Sequence, residues 1–254
     1  MKKVLITGTR SGLGKYLHDR FGGTAINRQT GQREWDDILR QTFDLVIHCA
    51  ASAPHAAVFT QLPLLFDDNV SLTRKVLQCR RSFFVYISTA WVYSPELVKH
   101  SENEIILPEK AINLYTLTKM ISESIIQQGS EPTLILRPCS LIGKESRPNN
   151  LMRLILEQNP RLTLTADSRY NLVLYQDIAD FIEFAFMRRL TGIYNVAALD
   201  CITLGEIEGM TGHKPIYGNY HYGIGDIDNT RVAEVCPVFK QTSREILERF
   251  LKTL

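Results

Sequence analysis

Cysteine is scarce and scattered. There are five in 254 residues (Cys49, Cys79, Cys139, Cys201 and Cys236), and no two lie three apart. That spacing excludes a Cys-x-x-Cys zinc or redox pair, and the odd count argues against a disulfide framework. The thiols read as reduced side chains of a cytoplasmic protein. An excess of one charge is also missing: Lys plus Arg total 29 and Asp plus Glu 27, a formal +2. No basic footprint for nucleic acid is left. No apolar run approaches the ~18 residues of a membrane span, and the short run before Gly8 is too brief for a secretory signal core. Repeats and low-complexity tracts are absent. No His, Cys and acid grouping has ligand spacing, so no metal is expected. What remains is ordinary: 44% hydrophobic residues, in a chain long enough to bury a core without covalent staples.

Strand and helix patterns alternate along the first part of the chain. Val4–Ile6, Thr24–Asn27, Asp44–Ala51, Phe83–Ile87, Thr133–Leu136 and Gly192–Val196 read as strands, several of them continuous apolar runs that suit burial on both faces. Helical patterns fall between them: from the turn after Gly8 to about Phe21, at Trp35–Gln41, at Asn69–Arg81 with Val70, Thr73, Val76 and Leu77 on one side, and at Asn113–Gln128 with Leu114, Leu117, Ile121 and Ile125 at helical spacing. Such alternation predicts an α/β fold, a Rossmann-type doubly wound parallel sheet whose ligands bind at the carboxyl ends of the strands. Beyond Pro138 the pattern loosens. Leu151–Asn159 reads as a helix, Asp177 as the cap of a helix reaching about Arg189, and Thr203/Glu206 and Thr242/Glu245 as capping boxes of late helices. The expected organisation is a dinucleotide-binding portion at residues 1–140 plus about 171–197. A small C-terminal substrate-binding cap takes about 141–170 and 198–254.

Three features carry chemistry. Thr7-Gly8-Thr9-Arg10-Ser11-Gly12-Leu13-Gly14 follows the first strand and opens a helix. Gly8 permits a tight turn, Gly12 removes a side chain where backbone must approach a pyrophosphate, and Gly14 lets the helix sit close to the sheet. The plain alternative is a glycine-rich turn. Tyr115 and Lys119 are four apart on a helix and share a face, where an ammonium can lower a phenol's pKa and ready it for proton transfer. The alternative is a solvated pair. Thr89 follows the Phe83–Ile87 strand at the same sheet end as Gly8, and its hydroxyl can bond a substrate carbonyl or simply close a strand-end turn.

Together and in this order, these features resemble the short-chain dehydrogenase/reductase family, more closely its extended branch of nucleotide-sugar epimerases, dehydratases and reductases. Asp44–Ala51, Asn69-Val70, Ile87–Tyr93, Tyr115–Lys119, Leu136–Gly143, Tyr175–Ala179 and Gly192–Val196 are similar to that branch's landmarks. Asp228–Arg231 and the last helix are similar to the tail of dTDP-4-dehydrorhamnose reductases. The resemblance implies catalytic roles for Tyr115 as acid/base, for Lys119 as holder of the nicotinamide ribose and depressor of the Tyr115 pKa, and for Thr89 as polariser of the carbonyl. It implies cofactor contacts at Gly8, Arg10, Ser11, Gly12, Leu13, Gly14, Arg28, Ala50, Ala51, Lys119 and Pro138. Substrate contacts fall to Asn149, Asn150, Arg231 and Trp91, with Arg147 a further diphosphate candidate. For Asn69 a helix cap is the preferred reading over support of the site. For His55, Trp91 and Tyr93, packing competes with lining the mouth, and His48 reads as a hydrogen-bonded core residue. The resemblance also implies a homodimer through Asn69–Arg81 and Asn113–Gln128.

Departures from the family pattern narrow the reaction. The stretch from Gly14 to Asp44 is short, so one strand–helix element near the adenosine is expected to be trimmed. The second strand ends in Asn27-Arg28 with no acid for a ribose 2′-OH, and Arg10 lies in the glycine loop, so NADP(H) is favoured with NAD(H) possible. Dehydratases of the branch carry Asp-Glu after the catalytic Thr. Ala90-Trp91 stand here, and neither transfers a proton. A keto-sugar reductase is the leading expectation. An epimerase with tightly bound NAD and a non-catalytic NADP(H) sensor are the alternatives.

Overall fold

The structure, a computed structural model, describes residues 2–53, 59–94, 96, 98–223 and 225–254. Its strands of three residues or more are β1 (Val4–Thr7), β2 (Thr24–Ile26), β3 (Leu45–His48), β4 (Phe84–Ile87), β5 (Thr133–Pro138), β6 (Ser140–Ile142), β7 (Leu172–Leu174) and β8 (Gly192–Val196). Six of them form one parallel sheet in the order β8–β5–β4–β3–β1–β2, while β6 and β7 pair with each other. The order turns at β1, with β2 on one side and β3 on the other, which opens a crevice at the carboxyl ends. β2 is the edge among the described residues, consistent with the short stretch before Asp44.

Both sheet faces are buried, which is why the strands read as unbroken apolar runs. Side chains alternate between two cores. Ile6, Ile47, Val85 and Leu136 pack with Leu13 and Leu17 of α1 (Gly12–Phe21) on one face. Leu5, Val46, Phe84 and Ile135 pack with Trp35 and Ile38 of α2 (Gln32–Leu39) on the other. His48 in β3 is fully buried and neutral. The Thr7 hydroxyl, already accepting from the Cys49 and Ala50 amides, donates to His48 Nδ1 at 2.6 Å. His48 Nε2 then donates to Thr73 at 2.9 Å, and burial pushes the imidazole down to about 3.

Two expectations change. The helix expected at Asn69–Arg81 is displaced: α3 (Leu62–Phe66), a π-helical turn (Asp67–Ser71) and α4 (Leu72–Val76) run on from one another, and Arg80–Arg81 pairs instead with Thr42–Phe43 as a short strand. Pro63 in the first turn starts this run, and its lack of a capping side chain hid the start from pattern reading. Asn69 is therefore inside a helix and not a cap. Asp177 is not a cap either. It sits in the first turn of a helix whose N-cap is Leu174, buried and bonded to Arg249 at 2.7 and 3.1 Å.

α5 (Leu114–Gln127) is capped by Asn113, which accepts from the Thr116 amide at 2.8 Å. Its buried residues are mostly polar, Thr116, Thr118, Lys119, Ser122 and Glu123 beside Met120 and Ile126, while the apolar stripe Leu114, Leu117, Ile121 and Ile125 stays half-exposed. Beyond the sheet, α6 (Asn150–Leu156), α7 (Tyr175–Arg188), α8 (Leu204–Thr211), α9 (Thr230–Val235) and α10 (Ser243–Leu251) complete the chain. Both expected capping boxes, at Thr203 and Thr242, are formed. α6, α8 and α10 share a separate apolar core with Leu172 and Leu174, whereas Val173 between them faces the sheet core.

Candidate active site

A cavity of about 960 Å³ lies along the carboxyl ends of β1, β3 and β4. One end is the glycine loop: Gly8, Arg10, Ser11, Gly12, Leu13 and Gly14 all line it, as do Arg28, Ala50 and Ala51. Gly8 has φ +80°, and a Cβ there would meet the Ala50 backbone at 2.9 Å. A Cβ on Gly14 would lie 2.4 Å from the Gly8 carbonyl oxygen, so only glycine lets α1 approach the turn this closely. No side chain caps α1 and its first turn holds no acid; the Gly12 amide donates to the Glu145 carbonyl, and no carboxylate side chain occupies the positive end of the helix in place of an anion.

The other end gathers Ile87, Ser88, Tyr115 and Lys119. Lys119 is only 2% exposed; its Nζ donates to the Ile87 carbonyl at 2.7 Å and stands 4.6 Å from the Tyr86 ring and 5.9 Å from the Tyr115 ring. Burial pulls the Lys119 pKa down to about 8, with Glu123 partly opposing. The Tyr115 phenol moves the other way: burial raises it, and the expected depression by Lys119 does not emerge in the protein alone. Tyr115 therefore stays protonated through neutral pH and is a proton donor. Ser88 is buried, lines the cavity, and its hydroxyl has no hydrogen-bond partner. Thr89, expected in this role, is not among the lining residues. Its hydroxyl accepts from the Trp91 amide at 3.2 Å and keeps its own proton to give.

The substrate-side expectations divide. Asn149 and Arg147 line the cavity. Asn150 does not; its side chain is tied to Thr163 by bonds of 2.8 and 3.0 Å. Trp91 donates from its indole to the Tyr222 hydroxyl at 2.9 Å, away from the cavity lining. Arg231 sits at the amino end of β8, donating to the Ile193 carbonyl, the wrong end of the sheet for a ligand. Pro138 is buried in β5 opposite Val196 and is not among the residues lining this cavity. Tyr93 is core, bonded to Asn195 and Arg137, and His55 lies outside the described residues.

Three residues were missed or misjudged. Asn69 is 2% exposed and clamps the loop after β3: it accepts from the Ser52 amide at 2.6 Å and donates to the Ser52 carbonyl and to Thr118 of α5. Asp68 lines the cavity and pairs with Arg28 at 2.5 Å. Tyr175 also lines it, its ring packed so close to Gly143 that no Cβ fits between them. The sequence held a signal for Asn69 and for Tyr175, which both lie in stretches similar to family landmarks, and none for Asp68.

The glycine cradle, the long cavity and the unpartnered Ser88 hydroxyl fit a dinucleotide. A family model, described as the NAD-dependent epimerase/dehydratase family, matches residues 4–197. The chain belongs to that family. It is an enzyme of the short-chain dehydrogenase/reductase type. A curated relative, the decarboxylating sterol-4-alpha-carboxylate 3-dehydrogenase of Saccharomyces cerevisiae, is 30% identical over 115 residues, which span 41% of this chain and only 32% of that enzyme. The dTDP-4-dehydrorhamnose reductase of Bacillus anthracis str. Ames, solved with NADP, is 19% identical with a TM-score of 0.78, covering 100% of this chain and 99% of that one. The UDP-glucuronic acid 4-epimerase of Bacillus cereus, solved with UDP-glucuronic acid and NAD, is 16% identical with a TM-score of 0.78 and 98% coverage of each chain. At these identities the two solved structures share the fold. One carries NADP and the other NAD. Among the described residues no helix is long and apolar enough to cross a membrane, and no cluster of three His, Cys, Asp or Glu side chains is placed to hold a metal.

Proposed function

We infer that this protein is an NADP(H)-dependent reductase of a keto group on a nucleotide-linked sugar, acting in the cytoplasm. The observation that carries the reading is a half-buried Tyr115 beside Lys119 at one end of a cavity whose other end is the glycine loop. The nicotinamide cofactor supplies the hydride when bound. Tyr115 gives its proton to the oxygen of the reduced carbonyl, and the unpartnered Ser88 hydroxyl is the second donor to the same oxygen, with Thr89 closing the turn behind it. Ala90 and Trp91 after Thr89 carry no group for elimination, so dehydration is disfavoured. Residues 1–140 with about 171–197 hold the dinucleotide, and about 141–170 with 198–254 hold the sugar.

Arg10 and Arg28 in the cavity favour a 2′-phosphate by charge, whereas Asp68 gives a carboxylate that can accept from a ribose hydroxyl. That carboxylate is the specific observation on the side of a second reading, an epimerase with retained NAD. Calorimetry on cofactor-free protein separates the two. NADPH is expected to bind more tightly than NADH and to exchange freely, and Asp68→Asn to widen the gap. Co-purifying NAD, or a preference for NADH, would overturn the reductase.

A homodimer is part of the same proposal. α3 packs on α5, Leu64 of α3 is 66% exposed, and the apolar stripe of α5 is half-exposed beside it. Sedimentation equilibrium is expected to show a dimer at micromolar concentration; a monomer there counts against it.

A further inference from the structure

Three arginines line the cavity, and they are not equivalent. Arg28 is neutralised by Asp68, and Arg10 lies exposed in the glycine loop. Arg147 comes from the loop between β6 and α6, far from both in sequence. Its guanidinium donates twice to the Ser11 hydroxyl, at 2.9 and 3.2 Å, and it has no acidic partner among the described residues. Ser11 is the residue just before α1, and its oxygen takes bonds from Arg147 in place of capping the helix. One residue on, the Gly12 amide donates to the Glu145 carbonyl at 3.0 Å. Ser146 between them bonds the Tyr175 hydroxyl at 3.0 Å. A segment of the substrate side is thus seated on the glycine loop at Glu145 and Arg147, with Ser146 between them fastened to Tyr175 of α7. It brings a full positive charge to the end of α1, where the backbone supplies only a partial one.

We propose that Arg147 is a cofactor-binding residue, a ligand of the dinucleotide's pyrophosphate contributed by the substrate side of the protein. This rests on the dinucleotide reading above. A planar guanidinium already turned towards the loop is suited to a two-oxygen contact with a diphosphate. The Ser11 hydroxyl holds the fork at the helix end and needs only to share it. Asn149 is two residues further along the same segment and lines the same cavity. Occupancy of the pyrophosphate site therefore bears directly on the position of this second cavity-lining residue, whose side chain caps α6 by accepting from the Met152 amide at 2.9 Å.

The test is calorimetric titration of the full-length wild type, Arg147→Ala and Arg147→Lys with NADP, ADP-ribose and adenosine 2′-monophosphate. Circular dichroism and the thermal midpoint confirm that the variants fold. Arg147→Ala is expected to weaken NADP and ADP-ribose alike, by roughly 10- to 100-fold, the worth of one charge-assisted contact. Adenosine 2′-monophosphate, which lacks the pyrophosphate, is expected to bind as before, and Arg147→Lys to recover part of the loss as a point charge without the fork. Unchanged NADP affinity in Arg147→Ala overturns the assignment while leaving the dinucleotide reading intact. An equal loss for adenosine 2′-monophosphate also overturns it, by moving Arg147 to the 2′-phosphate. Wild-type protein that binds neither NADP nor ADP-ribose overturns both readings together.

Discussion

Tyr115→Phe is expected to lower turnover of a keto-sugar by roughly two to four orders of magnitude, the usual worth of positioned proton transfer, while leaving NADPH binding unchanged. The phenol lines the far end of the cavity, half-buried, and loses only its oxygen in the substitution. Its neighbour sets the pH behaviour. Burial raises the Tyr115 pKa, so the proton donor is intact throughout the neutral range. Lys119, pulled down to about 8, is charged below that value and neutral above it. Reduction is therefore expected to be level below about pH 8 and to fall above it, as the ammonium that orders this end of the cavity gives up its proton. Steady-state kinetics across pH on wild type and variant give both answers. Turnover retained by Tyr115→Phe would remove the phenol from the reaction. A rate that falls towards acid would mean that the enzyme needs a base here and works in the oxidising direction.

The second large effect is on stability. Arg137 and Glu123 form an ion pair with both side chains almost wholly inaccessible, 2% and 3% exposed. Three bonds of 2.7, 3.1 and 3.2 Å join them, and Arg137 also donates to the Tyr93 hydroxyl at 2.9 Å. Arg137→Met leaves a buried carboxylate without its partner and should cost about 3–5 kcal/mol. The double variant Glu123→Leu with Arg137→Met should recover much of that, because apolar replacement of both partners removes the desolvation cost of both charges. Urea denaturation midpoints measure the difference. An Arg137→Met midpoint equal to wild type would show that Glu123 is accommodated by something other than the guanidinium. Activity is a separate readout. Glu123 lies one helical turn from Lys119 and contributes to holding its charge, so the stable double variant is still expected to show a Lys119 that deprotonates at lower pH.

The structure also explains which expectations about individual residues failed. Arg231 and Pro138 read as contacts from the sequence because the stretches around them look like family landmarks. In the fold, the Arg231 side chain lies at the opposite end of the sheet from the cavity and Pro138 is sealed inside a strand pair. Asn69 failed in the other direction. An Asn at the apparent start of a helix is ordinarily a cap, and only the extra turns from Leu62 place it in the interior, where its amide joins the loop after β3 to α5.

By itself the sequence determined what depends on short spacing. Alternating apolar strands and helices specify a parallel sheet covered on both faces. Glycines at positions 8, 12 and 14 specify a turn that a helix can approach, and Tyr115 and Lys119 four apart must share a helix face. Each follows from local geometry with a fixed period, so no knowledge of the rest of the chain is needed. Only the tertiary structure decided which side chains meet across the crevice. Arg28 meets Asp68 40 residues away, Asn69 meets Thr118 49 residues away, and Arg147 meets Ser11 136 residues away. Whether Ser88 or its neighbour Thr89 faces the cavity was decided there too, because consecutive residues point to opposite sides only while the strand lasts, and β4 ends at Ile87. The direction of the Tyr115 shift belongs with these. Proximity to a lysine is legible in the spacing, but the burial that outweighs it is the work of the whole fold.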